Sequence, residues 1–388
     1  FPVRLPYTTR PTLAVGPLLK NTFCLTRDDN AFLSQHIGDM ENLEALEHYQ
    51  EALRTYKHLF RVEPERVVAD LHPDYLTTHF AEEYAQRHGL PEPLRVQHHH
   101  AHIAACLADN GWTPDQGPVI GVALDGTGYG TDGAIWGGEW LVASYEEFRR
   151  AAHLEYLPLP GGDAAIRQPW RIAAAYYYAL FGEHHMPPHL LLPLTTKGGR
   201  APALERKRRK DLLIQQIDRG INTIPTSSMG RLFDAVSALL GIRRETTYEA
   251  QAAIELEQVA ATDHAPFYPY PFALAEEADT LQIQLTPLFE ALFGDMARER
   301  AVPHIARRFH DTVAEMILQV SSHLRRQTGI NTVALSGGVF QNRLLLGIAV
   351  PRLRAADFNV LLHSQVPPND GGVSLGQAAI ANAERRAV

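Results

Sequence analysis

The order of the apolar segments constrains the fold of this 388-residue chain most, because one plan occurs twice along it. Short apolar segments separated by turn-forming residues predict an antiparallel meander at residues 12–15, 22–26 and 31–37. Two helices and a buried strand are expected next, at residues 42–60, 75–88 and 67–70. After Pro118 the plan restarts with an apolar strand at 119–125 and a second meander through 135–143. The sequence therefore predicts an α/β fold with two similarly built halves.

These halves are expected to be separate lobes. The first covers residues 1–117 and is closed by a C-terminal helix at 373–388, while the second covers 118–372. An insertion at about 160–300 interrupts the second lobe, and its helices are predicted at residues 171–181, 203–217, 230–240 and 248–260. Within it, the basic run at 206–210 is interpreted as a solvated helix face, and the histidine-rich stretch at 183–189 as a surface loop, because it contains prolines.

Composition narrows the class of protein. A hydrophobic fraction of 45% and a charged fraction of 21% are typical of a globular chain, and the net charge of −8 makes nucleic acid an unlikely partner. Cys24 and Cys106 are the two cysteines, and their spacing forms neither a disulfide framework nor a thiolate zinc site. No stretch has the length of a membrane span or the pattern of a signal peptide, so we expect no membrane association and a cytoplasmic location.

A histidine-rich segment carries the first candidate site. Residues 96–106 are predicted to start a helix that runs up to the stop signal at Asn110 and Gly111. On a helix His98 and His102 share one face, where both imidazoles can reach a single cation. His99 and His100 are expected to point elsewhere. A pair of histidines at this spacing is more often a packed or solvated feature than a metal site, so its neighbours must decide between the two interpretations.

Two carboxylates could complete such a site. Asp125 ends the apolar strand and precedes a glycine-rich turn, where backbone amides can approach a phosphate while the carboxylate holds a cation. Asp370 precedes a glycine pair and a helix. If Asp370 meets His98 and His102, two imidazoles and one carboxylate form a set suited to iron or zinc. The alternatives are an ordinary turn at Asp125 and a helix N-cap at Asp370.

Two further motifs suggest an anion or nucleotide site. Gly337 and Gly338 lie between a strand and a helix predicted at 340–355, so that amides at a helix N-terminus can face an anion. Asp234 is predicted on a helix, where its carboxylate could accept ribose hydroxyl groups or bind a metal through water. The alternative for Asp234 is a surface acid.

Six motifs occur in an order that resembles a known family: Val96–His102, Leu159–Asp163, Gln168–Arg171, Ser227–Asp234, Tyr248–Ala253 and Ser336–Val339. They closely resemble the carboxy-terminal, TsaD-like portion of the HypF family, the carbamoyltransferases of nickel-iron hydrogenase maturation. The resemblance covers nearly the whole chain, starting around Leu18. It implies an actin/hexokinase/sugar-kinase-like (ASKHA) fold with two related lobes and a nucleotide in the cleft.

The resemblance also implies roles for individual residues. His98, His102 and Asp370 are expected to bind the metal, and His98, His102 and Asp125 to act in catalysis, with Asp125 at the cation or phosphate edge. The expected cofactors are ATP or carbamoyl adenylate and AMP, Mg²⁺ with the nucleotide, and Fe or Zn at the His/His/Asp site. The expected nucleotide-binding residues are Lys20, Asp163, Gly230, Asp234, Gly337, Gly338 and Asn342.

The implied reaction is carbamoyl transfer from carbamoyl adenylate to the C-terminal cysteine of HypE. The resemblance does not extend to the acylphosphatase-like, zinc-finger and YrdC-like parts of full-length family members, which are expected to be absent here. We therefore expect mainly the last step, with little phosphate release from carbamoyl phosphate, and a separate YrdC-like protein is a possible source of the adenylate. Open alternatives are threonylcarbamoyl transfer to tRNA, which the acidic charge disfavours, small-molecule O-carbamoyl transfer, and a non-catalytic nucleotide-dependent binding module.

Overall fold

The computed structural model describes residues 2–183 and 203–383. The predicted loop at 184–189 and the predicted end of the closing helix at 384–388 lie outside these residues. Within them, the first sheet has four strands in the order β2-β1-β3-β4: β1 (Val3–Ala14), β2 (Cys24–Leu33), β3 (Arg66–Asp70) and β4 (Leu94–Val96). β1 and β2 are antiparallel, and the other two pairings are parallel.

The predicted third strand of the first meander is wrong. Asp28, expected in a turn, lies inside β2, and residues 31–33 continue that strand. The left-handed backbone of Asp28 (φ 56°) and the irregular register between β1 and β2 at Thr9 accommodate polar residues within a strand whose side chains there are exposed or half-buried.

The second sheet contains the remaining strands of the described residues: β5 (Val119–Tyr129), β6 (Ile135–Ala143), β7 (Phe148–Leu154), β8 (Leu157–Pro160), β9 (Thr223–Thr226), β10 (Ala273–Glu277), β11 (Thr280–Gln284), β12 (Thr332–Ser336) and β13 (Asn359–Leu361). Its main path is β10-β11-β7-β6-β5-β12-β13, with β9 paired to β6 and β8. β5 does not end at Asp125 as predicted, because it continues to Tyr129 through a register shift between Leu124 and Gly128.

The helices follow the predicted alternation more closely. They are α1 (Leu43–Phe60), α2 (Leu76–His88), α3 (His98–Asp109), α4 (Asp163–Arg167), α5 (Pro169–Phe181), α6 (Ala203–Asp218), α7 (Met229–Leu239), α8 (Gln251–Ala260), α9 (Thr286–Ala297), α10 (Val302–Thr328), α11 (Arg343–Ala355) and α12 (Val373–Ala383). The insertion is less helical than expected, since it also contributes β9, β10 and β11. The lobe boundary between residues 117 and 118 stays a prediction.

α3 lies between the two sheets and is buried along its whole length. It contacts β1 of the first sheet and β5 of the second, and α12 packs along it. The helices approach so closely that a Cβ atom at Gly376 of α12 would overlap the carbonyl oxygen of Ala101. The histidine segment is therefore held in the interior, where its side chains can be positioned accurately.

Among the described residues, none of the helices combines the length and apolarity that crossing a bilayer requires.

Candidate metal centre and adjoining cavity

The histidine helix begins at His98, inside the segment predicted to start it, because Val96 ends β4. Gln97 is its N-cap, and the Gln97 side chain accepts a hydrogen bond from the backbone amide of His100 (2.9 Å). One turn separates His98 from His102, and their ring centroids lie 4.9 Å apart. Nε2 of His100 instead contacts the carbonyl oxygen of Ser144, so this ring does point elsewhere.

Four side chains meet at one point: each of His98, His102, Asp125 and Asp370 offers a ligand atom, and these atoms lie within 4.8 Å of one another. Nε2 of His102 is 3.2 Å from Asp125 Oδ2 and 3.6 Å from Asp370 Oδ1. The same two oxygens lie 3.4 and 3.7 Å from Nε2 of His98. The structure thus brings together the three expected metal ligands, and it adds Asp125, which is expected from the sequence at the cation or phosphate edge.

Asp370 is not the N-cap that the alternative interpretation proposed. The side chain of Asn369 accepts the hydrogen bond from the amide of Gly371 (3.0 Å), and Asp370 starts a short 3-10 turn, Asp370–Gly372, before α12. Its carboxylate is therefore available to the two histidines.

The residues present fit a metal ion. Nε2 of His98 is buried and has no hydrogen-bond partner, although it faces two carboxylates. Ligand atoms of a tetrahedral ion with bonds of 2.0–2.1 Å lie roughly 3.3 Å apart, which is close to the spacings found here. Two imidazoles and two carboxylates suit zinc or iron. The metal-binding role of these residues stays a prediction.

The electrostatics of the cluster favour positive charge at its centre. Burial lowers the pKa of His98, but Asp70, Asp125 and Asp370 together raise it well above its ordinary value. Burial raises the pKa of Asp125, yet His102 and His98 hold it well below the usual range. Protonated imidazoles thus neutralise the negative charge of the carboxylates, a role that a bound cation could also fill.

Sequence reasoning missed the groups that orient the two imidazoles. Oδ2 of Asp70 lies 2.8 Å from Nδ1 of His98. On the other ring, Nδ1 of His102 lies 3.4 Å from the hydroxyl of Ser336, which lies 2.8 Å from Nε2 of His363. The available signal for Asp70 was its place at the end of a predicted buried strand, the same signal that marked Asp125.

A cavity of about 450 Å³ opens beside the cluster, and Asp125 and Asp370 form part of its wall. Five expected nucleotide-binding residues also line it: Lys20, Gly230, Asp234, Gly338 and Asn342. Asp163 and Gly337 are not among the lining residues. Asp163 is exposed on the first turn of α4, and Gly337 packs against the backbone of Leu124. Their nucleotide roles, like those of the other five, stay predictions.

The glycine-pair motif differs from its prediction. Gly338–Gln341 forms a 3-10 turn, and α11 starts only at Arg343, because Asn342 caps it by accepting from the amide of Leu345 (2.8 Å). The amide of Gly338 donates to Oδ1 of Asp125 (3.0 Å), so this amide orients a cluster carboxylate.

The surface-acid alternative for Asp234 is wrong. Its side chain is buried, and Oδ2 lies 3.1 Å from Nη1 of Arg231. At the rim of the cavity, Lys20 forms an ion pair with Glu249 and has a left-handed backbone conformation (φ 46°). The cavity therefore contains a buried ion pair, Arg231 with Asp234, and has a more exposed ion pair, Lys20 with Glu249, at its rim.

Known families and proteins resemble this chain. Residues 7–109 match the family model described as the HypF Kae1-like domain, and residues 121–377 match the model described as the carbamoyltransferase, Kae1-like domain, second subdomain. Carbamoyltransferase HypF of Synechocystis sp. is 37% identical over 97% of this chain and 48% of its own length. A carbamoyltransferase HypF homolog of Cupriavidus necator is 38% identical over 96% of this chain and 91% of its own length.

A solved structure is similar as well. The crystal structure of full-length HypF in the phosphate- and nucleotide-bound form aligns with a TM-score of 0.87 and 41% identity, over 98% of this chain and 57% of that chain. Together with the two mixed sheets, this likeness confirms the predicted α/β fold of the actin and hexokinase class. The chain spans about half the length of the first curated relatives that it matches.

Proposed function

Because the chain belongs to the HypF carbamoyltransferase family, we propose that it transfers a carbamoyl group from carbamoyl adenylate to the C-terminal cysteine thiol of HypE, in the synthesis of the hydrogenase cyanide ligand. The observation that supports the proposal is that the candidate metal centre and the cavity share two residues. Asp125 and Asp370 belong both to the four-residue cluster and to the wall of the cavity. A nucleotide in this cavity would have its reactive end beside the cluster.

The proposed step is an acyl transfer. The acceptor sulfur attacks the carbamoyl carbon, a carbon–sulfur bond forms, the bond from that carbon to the phosphate oxygen breaks, and AMP leaves while the thiol proton is released. When bound by His98, His102, Asp125 and Asp370, iron or zinc would supply Lewis acidity toward the carbamoyl oxygen. The amide of Gly338 holds the Asp125 carboxylate in place for this role.

The buried position of the cluster supports transfer rather than hydrolysis. His98 and His102 are each only 1% exposed, and the packing of α3 between the sheets keeps solvent away from their inner side. Acyl adenylates react with water, so a site that transfers their acyl group must limit water access. Mg²⁺ bound with the nucleotide is expected to offset the carboxylates that line the cavity: Asp125, Asp234, Glu249, Glu257 and Asp370.

The test is incubation of the purified chain with carbamoyl adenylate and purified HypE, followed by mass spectrometry of HypE. We expect HypE to gain one carbamoyl group at its C-terminal cysteine. His102→Ala should abolish the modification, whereas His36→Ala, which removes an exposed histidine, should leave it unchanged. Unmodified HypE in the presence of intact adenylate would overturn the proposal.

Two further arms test the rival reactions. In the first, threonylcarbamoyl adenylate replaces the donor and tRNA replaces HypE as the acceptor. Modified tRNA without modified HypE would favour the tRNA-modifying alternative. The other follows phosphate release from carbamoyl phosphate by the chain alone. Release that depends on His102 and matches the rate of transfer would show that the same cavity also performs an earlier step.

A further inference from the structure

Arg231 is a buried basic residue, and most N–H groups of its guanidinium lack a hydrogen-bond partner. It lies in the first turn of α7, its side chain is 7% exposed, and it lines the cavity. Neither Nε nor Nη1 has a hydrogen-bond partner, although Nη1 is 3.1 Å from Oδ2 of Asp234. Because a guanidinium carries five N–H donors in a fixed plane, burying it with most of them unused is unfavourable unless a ligand engages them.

The guanidinium lies beside the strand that carries Asp125. A Cβ atom at Gly126 would be 3.3 Å from Nη2 of Arg231, so this group lies next to the backbone immediately after the cluster carboxylate. The two elements are in close contact, since a Cβ atom at Gly230 would come within 2.8 Å of the Cα atom of Gly126. Arg231 therefore has little freedom to move away from the cavity, and its free edge stays near the cluster.

The surroundings of Arg231 differ from those of Lys20, the other basic residue of the cavity. Among the lining residues that the structure describes, Lys20 and Arg231 are the basic side chains, against five carboxylates. Lys20 is paired with Glu249 at the rim, where the two side chains are 30% and 45% exposed. Arg231 is the basic residue inside the cavity, and Asp234 forms an ion pair with only one of its nitrogens, Nη1. An anionic group bound in this cavity needs a positive partner at depth, and Arg231 supplies it.

We propose that Arg231 binds the phosphate group of the adenylate and gives the cavity its preference for a nucleoside monophosphate ester over the nucleoside. The inference rests on the proposed function for the presence of a nucleotide. A planar guanidinium can hold a carboxylate and a phosphate at once, so Asp234 fixes its orientation and the remaining N–H groups meet the phosphate oxygens. Arg231 also lies where charge grows on the phosphate as AMP departs.

The test compares AMP with adenosine in calorimetric titrations of the whole chain. We expect the wild-type chain to bind AMP more tightly than adenosine. Arg231→Gln should weaken AMP binding by about tenfold to a hundredfold, the effect of losing a charge-assisted hydrogen bond, and leave adenosine binding unchanged. Arg231→Lys keeps the charge without the planar fork and should lose part of the AMP preference. Arg149→Gln, an exposed substitution of the same type, should change neither affinity.

The outcomes separate the inference from the function on which it rests. If the wild-type chain binds neither ligand, the nucleotide site and the inference are both wrong. If Arg231→Gln keeps the full preference for AMP, or if both Arg231 variants lose adenosine and AMP to the same extent, the role of Arg231 is structural while the nucleotide site stands. Adenosine binding by the variants also reports that they are folded, and Arg231→Lys, which retains the pairing with Asp234, covers the case in which Arg231→Gln does not fold.

Discussion

Oδ2 of Asp70 lies 2.8 Å from Nδ1 of His98, and both side chains are buried. Asp70 is the last residue of β3, and His98 is the first residue of α3. The contact therefore joins the C-terminal end of this strand to the start of the central helix. An imidazole whose Nδ1–H donates to a carboxylate is held in a fixed direction, and its Nε2 can bind a metal ion that replaces the proton there. Here that direction is toward Asp125 and Asp370.

Asp70→Asn should therefore weaken metal binding while leaving all four candidate ligands in place. Loss of such an orienting carboxylate typically costs 10- to 100-fold in metal affinity. Competition with a chromophoric zinc chelator measures the change, and Asp74→Asn, an exposed acid in the loop that follows, is the matched control. Equal affinities of Asp70→Asn and the wild-type chain would mean that Asp70 does not orient a ligand.

Asp125→Asn and Asp370→Asn should each reduce the metal content and affinity of the purified chain. The prediction follows from their similar distances to His102, 3.2 and 3.6 Å, which favour two carboxylate ligands over the single one that sequence reasoning chose. Elemental analysis of protein prepared without chelators gives the stoichiometry. A loss confined to Asp370→Asn would restore the set of His98, His102 and Asp370 alone.

Gly376→Ala should destabilise the protein, because the added methyl group would overlap the carbonyl oxygen of Ala101 and force α12 away from α3. Overpacking of this kind typically costs about 1–3 kcal/mol. The matched control is Gly347→Ala in α11, where a Cβ atom meets nothing within 4 Å and a gain of up to about 1 kcal/mol is expected. Urea unfolding at one pH measures both, and equal effects would contradict the close helix contact.

Asp234 should make stability depend on pH. Burial, opposed by Arg231 and assisted by the nearby Glu249, raises its pKa from 3.8 to about 6. Between these values the folded chain holds a proton that the unfolded chain has released. The contribution of Asp234 to the free energy of unfolding therefore falls as the pH rises from about 4 to about 6.

The measurement is the difference in unfolding free energy between the wild-type chain and Asp234→Asn, taken at several pH values. Relative to the Asp234→Asn variant, the wild-type chain should be less stable above pH 6 than at pH 4 by up to about 3 kcal/mol. The reason is that folding raises the pKa of Asp234 by about two units. Arg231 and Tyr176 also face Asp234, and both are present in the two proteins, so their effects largely cancel. A constant difference would refute the raised pKa.

Local patterns in the sequence were sufficient for the elements that carry the site. The spacing of His98 and His102, the stop at Asn110 and the apolar strand before Asp125 each depend on residues that are neighbours in the chain. These features predicted the histidine helix and the strand that carries Asp125, although that strand continues past Asp125, and the glycine pair after Asp370 marked that residue. The meeting of His98, His102 and Asp370 followed from the resemblance, since no periodicity relates residues so far apart.

The remaining features depend on contacts that a linear pattern does not encode. Asp70 meets His98 only because the fold brings the end of β3 to the start of α3, and Asp28 stays in β2 only because its irregular pairing with β1 tolerates it. The strand β10 was missed in the insertion because all its residues are exposed or half-buried, which leaves no apolar alternation to detect. Its partner β11 does alternate, but over two buried residues only, Leu281 and Ile283.

The candidate ligands are distributed over segments that are far apart in the chain: α3, the central strand β5, and the turn before α12. A cation shared by them would be bound by the folded chain and not by the unfolded one. Its binding energy would then add to the free energy of unfolding, and the addition would grow with the logarithm of the free ion concentration. The ion would act as a reversible cross-link between α3, β5 and the turn before α12, so that metal loading follows folding and a chelator lowers the melting temperature.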